Sequence, residues 1–206
     1  MQEITEQSGY RRQLREKILD VAARAFMEKG IKAVKMDDIS NALSISKRTL
    51  YEVYGDKESL LFEVVRHTDH RRKSHLREYS QQSHHVLEII LEAYRQRVTE
   101  SFGVTPLFYA DISRYPRIVS YMEAEHKKNR ADFKQFMRRG VEEGFFRPDV
   151  DYDMLPHLFD AIGRHVQREE LFKVYSLKEI FATLLLVPLR GISTEKGLQV
   201  LNASEL

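Results

Sequence analysis

Apolar residues recur every three or four positions along almost the whole chain, and that period admits helices and little else. Leu14, Ile18, Val21, Ala22, Ala25 and Phe26 mark one helix face, with Arg15, Lys17, Asp20 and Arg24 between them. The same spacing returns in Leu60, Leu61, Val64 and Val65, and in Leu87, Ile90, Leu91, Tyr94 and Val98. It returns again in Leu155, Leu158, Phe159, Ile162 and Val166, and in Ile180, Phe181, Leu184 and Leu185. No stretch alternates strictly, so the predicted fold class is all-α. Nine Gly and five Pro in 206 residues leave few places to break a helix.

Those few breaks are informative. Gly30 reads as the C-terminal stop of the first long helix, since glycine takes the left-handed conformation cheaply. A second long helix opens near Lys57 and ends in Ser80-Gln81-Gln82-Ser83. Its middle, Arg66 to His75, holds no apolar side chain, and reads as a solvated stretch linking two cores. Thr105-Pro106 is an N-cap followed by a first-turn proline. Pro116 opens a helix whose stripe, Ile118, Met122, Phe133, Phe136 and Met137, runs to Gly144. Arg147-Pro148-Asp149 is a turn. Ser176 and Glu179 form a capping box, Pro188 stops or kinks the helix that follows, and a short terminal helix covers Glu195 to Leu201.

Several functions drop out. Without cysteine there is no disulfide, zinc-thiolate site, iron–sulfur cluster or thiol nucleophile. The densest apolar run, Leu184 to Leu189, is far short of the about 20 residues that span a bilayer. Met1 to Gln7 is polar and acidic, unlike a signal peptide, so a cytoplasmic protein without a membrane partner is expected. His67 and His70 lie three apart on one face, and Glu123 with His126 has the Glu-x-x-His spacing of di-iron bundles. Such sites need two of these motifs and two further Glu, which leaves a small all-α metalloenzyme as the remote alternative. No catalytic residue, metal site or cofactor is assigned. The net charge of +2 hides an asymmetry: residues 1–80 hold 16 basic and 13 acidic side chains, residues 81–206 hold 17 and 18. Positive charge therefore gathers in the N-terminal part.

Residues 37–54 have the layout of a helix-turn-helix. Asp37 to Leu43 supplies two turns with Ile39, Ala42 and Leu43 inward, Ser44-Ile45 makes the turn, and Ser46 caps a second helix. In that helix Leu50 and Tyr54 face the core, while Lys47, Arg48, Thr49 and Tyr51 project outward. Such a helix can lie in a major groove with its N-terminal residues at base edges. Arg and Lys can donate to guanine there, and the Thr methyl can touch thymine. Tyr51 and Lys57 are placed to reach phosphates. Arg11, Arg12 and Arg15 are either an arm toward the minor groove or the solvated start of the first helix.

The set Ile18, Ala22, Phe26, Gly30, then Ile39, Ala42, Ile45-Ser46, then Thr49-Leu50-Tyr51, Tyr54, Lys57-Glu58 and Leu60-Leu61 resembles the tetracycline-repressor (TetR) family of bacterial regulators. Ser44 and Arg48 stand where that family usually has Gly, Lys35 and Met36 where it has a capping Thr or Ser, Val53 where it often has His, and Tyr54 where it has Phe. The resemblance implies a three-helix DNA-binding domain, 10–56, and a ligand-binding and dimerisation domain, 57–206, with the linking helix over 57–79. It implies a homodimeric repressor binding a palindromic operator in double-stranded DNA, controlled by a small-molecule effector; a DNA-binding regulator under no such control is the alternative. The residues it implies at DNA are Lys35, Ser46, Lys47, Arg48, Thr49, Tyr51, Tyr54 and Lys57. Tyr94, Phe102, Phe108, Met122, Phe136 and Phe159 are expected to line the effector pocket. Leu155, Leu158, Ile162, Val166, Ile180, Phe181, Leu184 and Leu185 are expected at the dimer interface.

Overall fold

The computed structural model describes residues 2–82, 84–128 and 130–204; Met1 and Ser83, the last residue of the expected break, lie outside them. The described residues form α1 (Gln2–Lys29), α2 (Met36–Ala42), α3 (Lys47–Tyr54), α4 (Lys57–Ser80), α5 (Val86–Ser101) and α6 (Pro106–Ile112). There follow α7 (Pro116–Lys128), α8 (Arg130–Glu142), α9 (Leu155–Arg168), a 3-10 turn (Leu171–Lys173), α10 (Leu177–Leu184), α11 (Leu186–Ile192) and α12 (Glu195–Ala203). Among the described residues, β pairing is limited to one isolated antiparallel bridge between Phe146 and Ser193. The fold is all-α. The stripe expected from Pro116 to Gly144 is divided between α7 and α8.

Two compact units result, Met1–Arg71 with Gly103–Tyr121, and Arg72–Phe102 with Met122–Leu206. The core of the first gathers Ile18, Ala22 and Phe26 of α1, Ile39 of α2, Leu50 and Tyr54 of α3, Leu60, Leu61 and Val64 of α4, and Ile118 of α7. Helices as short as α2 and α3 are marginal alone and are held by this burial. Ala42, expected to face inward, is exposed; Leu43 and Ile45 pack against the core instead.

The first unit does not stop at residue 56. The Thr105 N–H donates to the Met27 carbonyl at 2.8 Å, and the Lys32 N–H donates to the buried Asp111 carboxylate at 2.7 Å. Gly30 has φ +83°, and a Cβ there would sit 2.9 Å from Leu107 Cβ. A glycine is thus required twice over, by the left-handed turn and by the approach of α6.

The second unit is built on Val86, Leu87, Leu91 and Tyr94 of α5, Met137 of α8, Phe145, Phe146, Leu155 of α9, Leu186, Leu189 and Ile192 of α11, and Leu201 of α12. Pro188 lacks an N–H and its ring crowds the carbonyl four residues back, which explains why α10 ends at Leu184 and α11 starts afresh. The stretch Arg66–His75 is continuous helix but only partly solvated. Within the second unit Arg72 pairs with Glu100, Lys73 with Glu125, and His75 with Glu92 at 2.8 Å. Polar side chains there face carboxylates from other helices, a relation that spacing along one helix does not reveal.

Candidate nucleic-acid interface

The helix-turn-helix is assembled from local hydrogen bonds. Lys35 precedes α2 with extended backbone and no oxygen to cap it; the Asp38 carboxylate compensates by accepting the Lys35 N–H at 2.7 Å. The chain then turns through Ser44, at φ +53°, a left-handed conformation that a glycine would adopt without strain. The Ile45 N–H closes the turn on the Ser40 carbonyl at 3.0 Å. Ser46 Oγ accepts the Thr49 N–H at 3.0 Å, and the two hydroxyls lie 2.8 Å apart, so the Ser46 cap is formed as expected.

Gly55 (φ +57°) ends α3, its N–H on the Tyr51 carbonyl at 2.8 Å. Asp56 caps α4 by accepting the Ser59 N–H at 2.6 Å, and that bond holds its carboxyl below the usual carboxylate range. Both residues lie outside the expected site, although Gly-Asp between two helical runs is a stop followed by a cap.

These bonds fix which side of α3 is free. Leu50 and Tyr54 are buried. Tyr54 is therefore not part of the DNA-facing set: its hydroxyl donates to the Arg15 carbonyl at 3.3 Å, the Arg15 guanidinium lies 5.7 Å over its ring, and burial pushes its phenol up. Arg15, in turn, is part of a helix rather than an arm. Lys47, Arg48 and Tyr51 are exposed, Tyr51 at 40 %, with Thr49 half-exposed beside them. Lys47 reaches Asp37 of α2 at 2.8 Å, a hydrogen-bonded pair that holds its amine above the ordinary value. Arg48 donates through Nε to Glu52 at 2.8 Å. Lys35 is exposed. Lys57 is half-buried at the start of α4, lies 3.4 Å from the Lys32 carbonyl, and has its amine lowered by desolvation.

Two short helices joined by a tight turn, the second offering a basic and aromatic face, have the form of a DNA-reading head. The sequence profile of bacterial regulatory proteins, tetR family, matches residues 18–64. Residues 18–64 form a TetR-family DNA-binding region. The match covers the second half of α1, both short helices and the start of α4. The HTH-type transcriptional repressor KstR2 of Mycobacterium tuberculosis is 27% identical over 147 residues, 68% of this chain and 73% of the relative. The HTH-type transcriptional regulator UidR of Escherichia coli is 26% identical, over 70% of this chain and 74% of its own. A solved regulator from Saccharomonospora viridis, in complex with choline, superposes with a TM-score of 0.69 at 18% identity, covering 89% of this chain and 99% of that one. This last likeness shows the fold. With that region, and with relatives that are transcriptional regulators along most of its length, the chain is a DNA-binding regulator of transcription.

The second unit sorts the remaining expected residues. Tyr94, Phe136 and Phe159 share one apolar cluster with Phe133 and Phe181. The rings of Tyr94 and Phe181 meet edge to face at 6.4 Å. The other three pocket candidates lie outside that cluster. Phe102 caps the end of α5 and is 75 % exposed, Met122 is exposed, and Phe108 packs into the first unit's core beside Tyr109. Of the residues expected at a dimer interface, Leu155 and Ile180 are buried within the chain itself. Leu158 is 44 % exposed, and Ile162, Val166, Phe181, Leu184 and Leu185 are half-buried. Val187, Val174 and Tyr175 are also exposed; they stand outside the helical stripes and so carry no periodic signal. His126 is hydrogen-bonded to Asp160, and among the described residues no three His, Asp or Glu converge as metal ligands. No described helix is long and apolar enough to cross a membrane.

Proposed function

We propose that the protein is a homodimeric repressor in which each protomer lays α3 in the major groove of one half of a palindromic operator, and that a small molecule in the second unit releases it. The observation that carries the reading is the division of α3. Leu50 and Tyr54 are locked in the core, so Lys47, Arg48, Thr49 and Tyr51 are presented on a rigid element. Lys35, Ser46 and Lys57 flank this face, where phosphates of the same half-site would pass. The exposed apolar side chains Leu158, Val174, Tyr175 and Val187 support pairing of two second units, which would take apolar surface of this kind out of water. A symmetric pair would match a two-fold operator.

A mobility-shift titration with DNA from the region upstream of its own gene tests this. The wild-type protein should bind specifically and lose affinity steeply with salt. Tyr51→Ala should bind at least tenfold more weakly with a nearly unchanged melting temperature, because its side chain is not part of the buried core. Full binding by Tyr51→Ala, or none by the wild type, overturns the reading.

The effector part rests on Tyr94. Its hydroxyl is the one buried side-chain polar atom among the described residues without a hydrogen-bond partner, and burial pushes its phenol up. Leaving such a group unpaired costs about 1–3 kcal/mol, so its presence in an apolar cluster calls for a ligand that completes it. Tyr94→Phe should raise the melting temperature of the ligand-free protein by roughly 2–4 °C, corresponding to about 1 kcal/mol. Calorimetry giving a lower value instead would mean that the hydroxyl is already satisfied, and the anchor role would fall.

A further inference from the structure

The Arg48–Glu52 pair is badly placed for helix stability. Arg48 is the second residue of α3 and Glu52 lies in its last turn. A cation near the N-terminus and an anion near the C-terminus both oppose the helix dipole, and the order Arg then Glu four residues on is the weaker of the two. Both side chains are largely exposed, and exposed pairs contribute little. What the pair does provide is geometry. Glu52 accepts from Nε of Arg48 at 2.8 Å, so one edge of the planar guanidinium is taken and its end, with Nη1 and Nη2, points away from the carboxylate. Those two amino groups are a parallel pair of donors, the complement of O6 and N7 on one guanine.

We infer that Glu52 is a positioning and specificity residue: it holds Arg48 so that its terminal amino groups read a guanine in each half-site, and its own charge turns Arg48 away from phosphate. This rests on α3 being the groove-reading helix. The neighbouring Lys47–Asp37 pair is no equivalent, because an ammonium is a compact charge with rotatable donors and no fixed plane to aim.

Selection of bound sequences from a random duplex library, with the full-length protein, tests it. The wild type should select a motif with a guanine column in each half. Arg48→Ala should erase one such column. Glu52→Ala should blur that same column, lowering discrimination there by roughly tenfold, while affinity for the unselected pool stays level or rises as a negative charge leaves. The double variant should be no less selective than Arg48→Ala alone, and all three variants should melt with the wild type. If Glu52→Ala keeps the column sharp, the pair has no positioning role and the inference fails. If Arg48→Ala changes no column, Arg48 reads no base and the inference fails with it. A wild type that selects no motif instead removes the DNA-reading proposal beneath it.

Discussion

Replacing Gly140 by alanine is expected to destabilise the second unit by about 3 kcal/mol, at the upper end for an overpacked core, and to lower its melting temperature by roughly 6–12 °C. Gly140 lies in α8 with ordinary helical backbone, so conformational freedom is not the reason for it. The reason is space. An added Cβ would stand 2.2 and 2.4 Å from two ring carbons of Phe146 and 2.9 Å from a Val86 methyl. Phe146 is buried, and its backbone is fixed: its own N–H donates to the Gly140 carbonyl at 3.1 Å and the next N–H donates to Ile192 at 2.9 Å. The ring cannot swing to solvent, and Val86 opens α5 on the other side, its N–H held by Glu143 at 2.9 Å. Alanine is otherwise the better helix former by up to about 1 kcal/mol, which makes the sign informative. Gly191→Ala is the control: nothing lies within 4 Å of its Cβ, and it should be neutral or slightly stabilising. Adding Phe146→Leu to Gly140→Ala should recover part of the loss, a coupling that a double-mutant cycle by thermal melting would resolve. A loss below about 1 kcal/mol for Gly140→Ala would show that the turn at 144–147 can shift as a body.

Gly140 also shows what the sequence leaves illegible. Within a helical stripe a glycine is only a mild anomaly; the ring that needs its empty side comes from a turn and a bridge to Ser193. The docking of α6 is hidden likewise, since Gly30 and Leu107 or Lys32 and Asp111 meet across about eighty residues that periodicity cannot connect. Local signals are more legible. The Ile18–Ala22–Phe26 face, the stop at Gly30 and the caps Ser46, Thr105 and Ser176 all depend on neighbours within four residues, and all appear in the structure. At the candidate site the same rule holds. Lys47, Arg48 and Tyr51 are legible because one buried residue, Leu50, sets the phase of a short helix. The Lys47–Asp37 pair is not, because it joins two helices across a turn. Phe102 departs from its expected place for a boundary reason: its ring would continue the α5 stripe, but the helix ends one residue earlier.

Lys47→Ala should weaken operator binding by roughly tenfold to a hundredfold, and should flatten its salt dependence by close to two units in the slope of log affinity against log salt. Each phosphate neutralised by a protein cation contributes about 0.9 to that slope. Removing one lysine from each protomer frees two phosphates per symmetric dimer, so the decrement reports how many protomers sit on the DNA as well as testing the residue. Lys47 is exposed and tied to Asp37 at 2.8 Å in the free protein. On the proposed binding mode that carboxylate is exchanged for a phosphate, and the alanine variant would leave Asp37 facing the DNA with nothing to neutralise it, which adds to the expected loss. Asp37→Asn should act oppositely, raising affinity for random duplex because Lys47 no longer has to leave an anion. Since the pair lies at the surface, neither change should move the melting temperature appreciably. Fluorescence anisotropy on a labelled operator duplex, repeated from low to moderate salt, gives the slopes. A change near one unit would place a single protomer on the operator and sink the dimeric arrangement. No change would show that Lys47 neutralises no phosphate from its place on the groove face, while leaving the reading role of Arg48 to stand or fall on its own test.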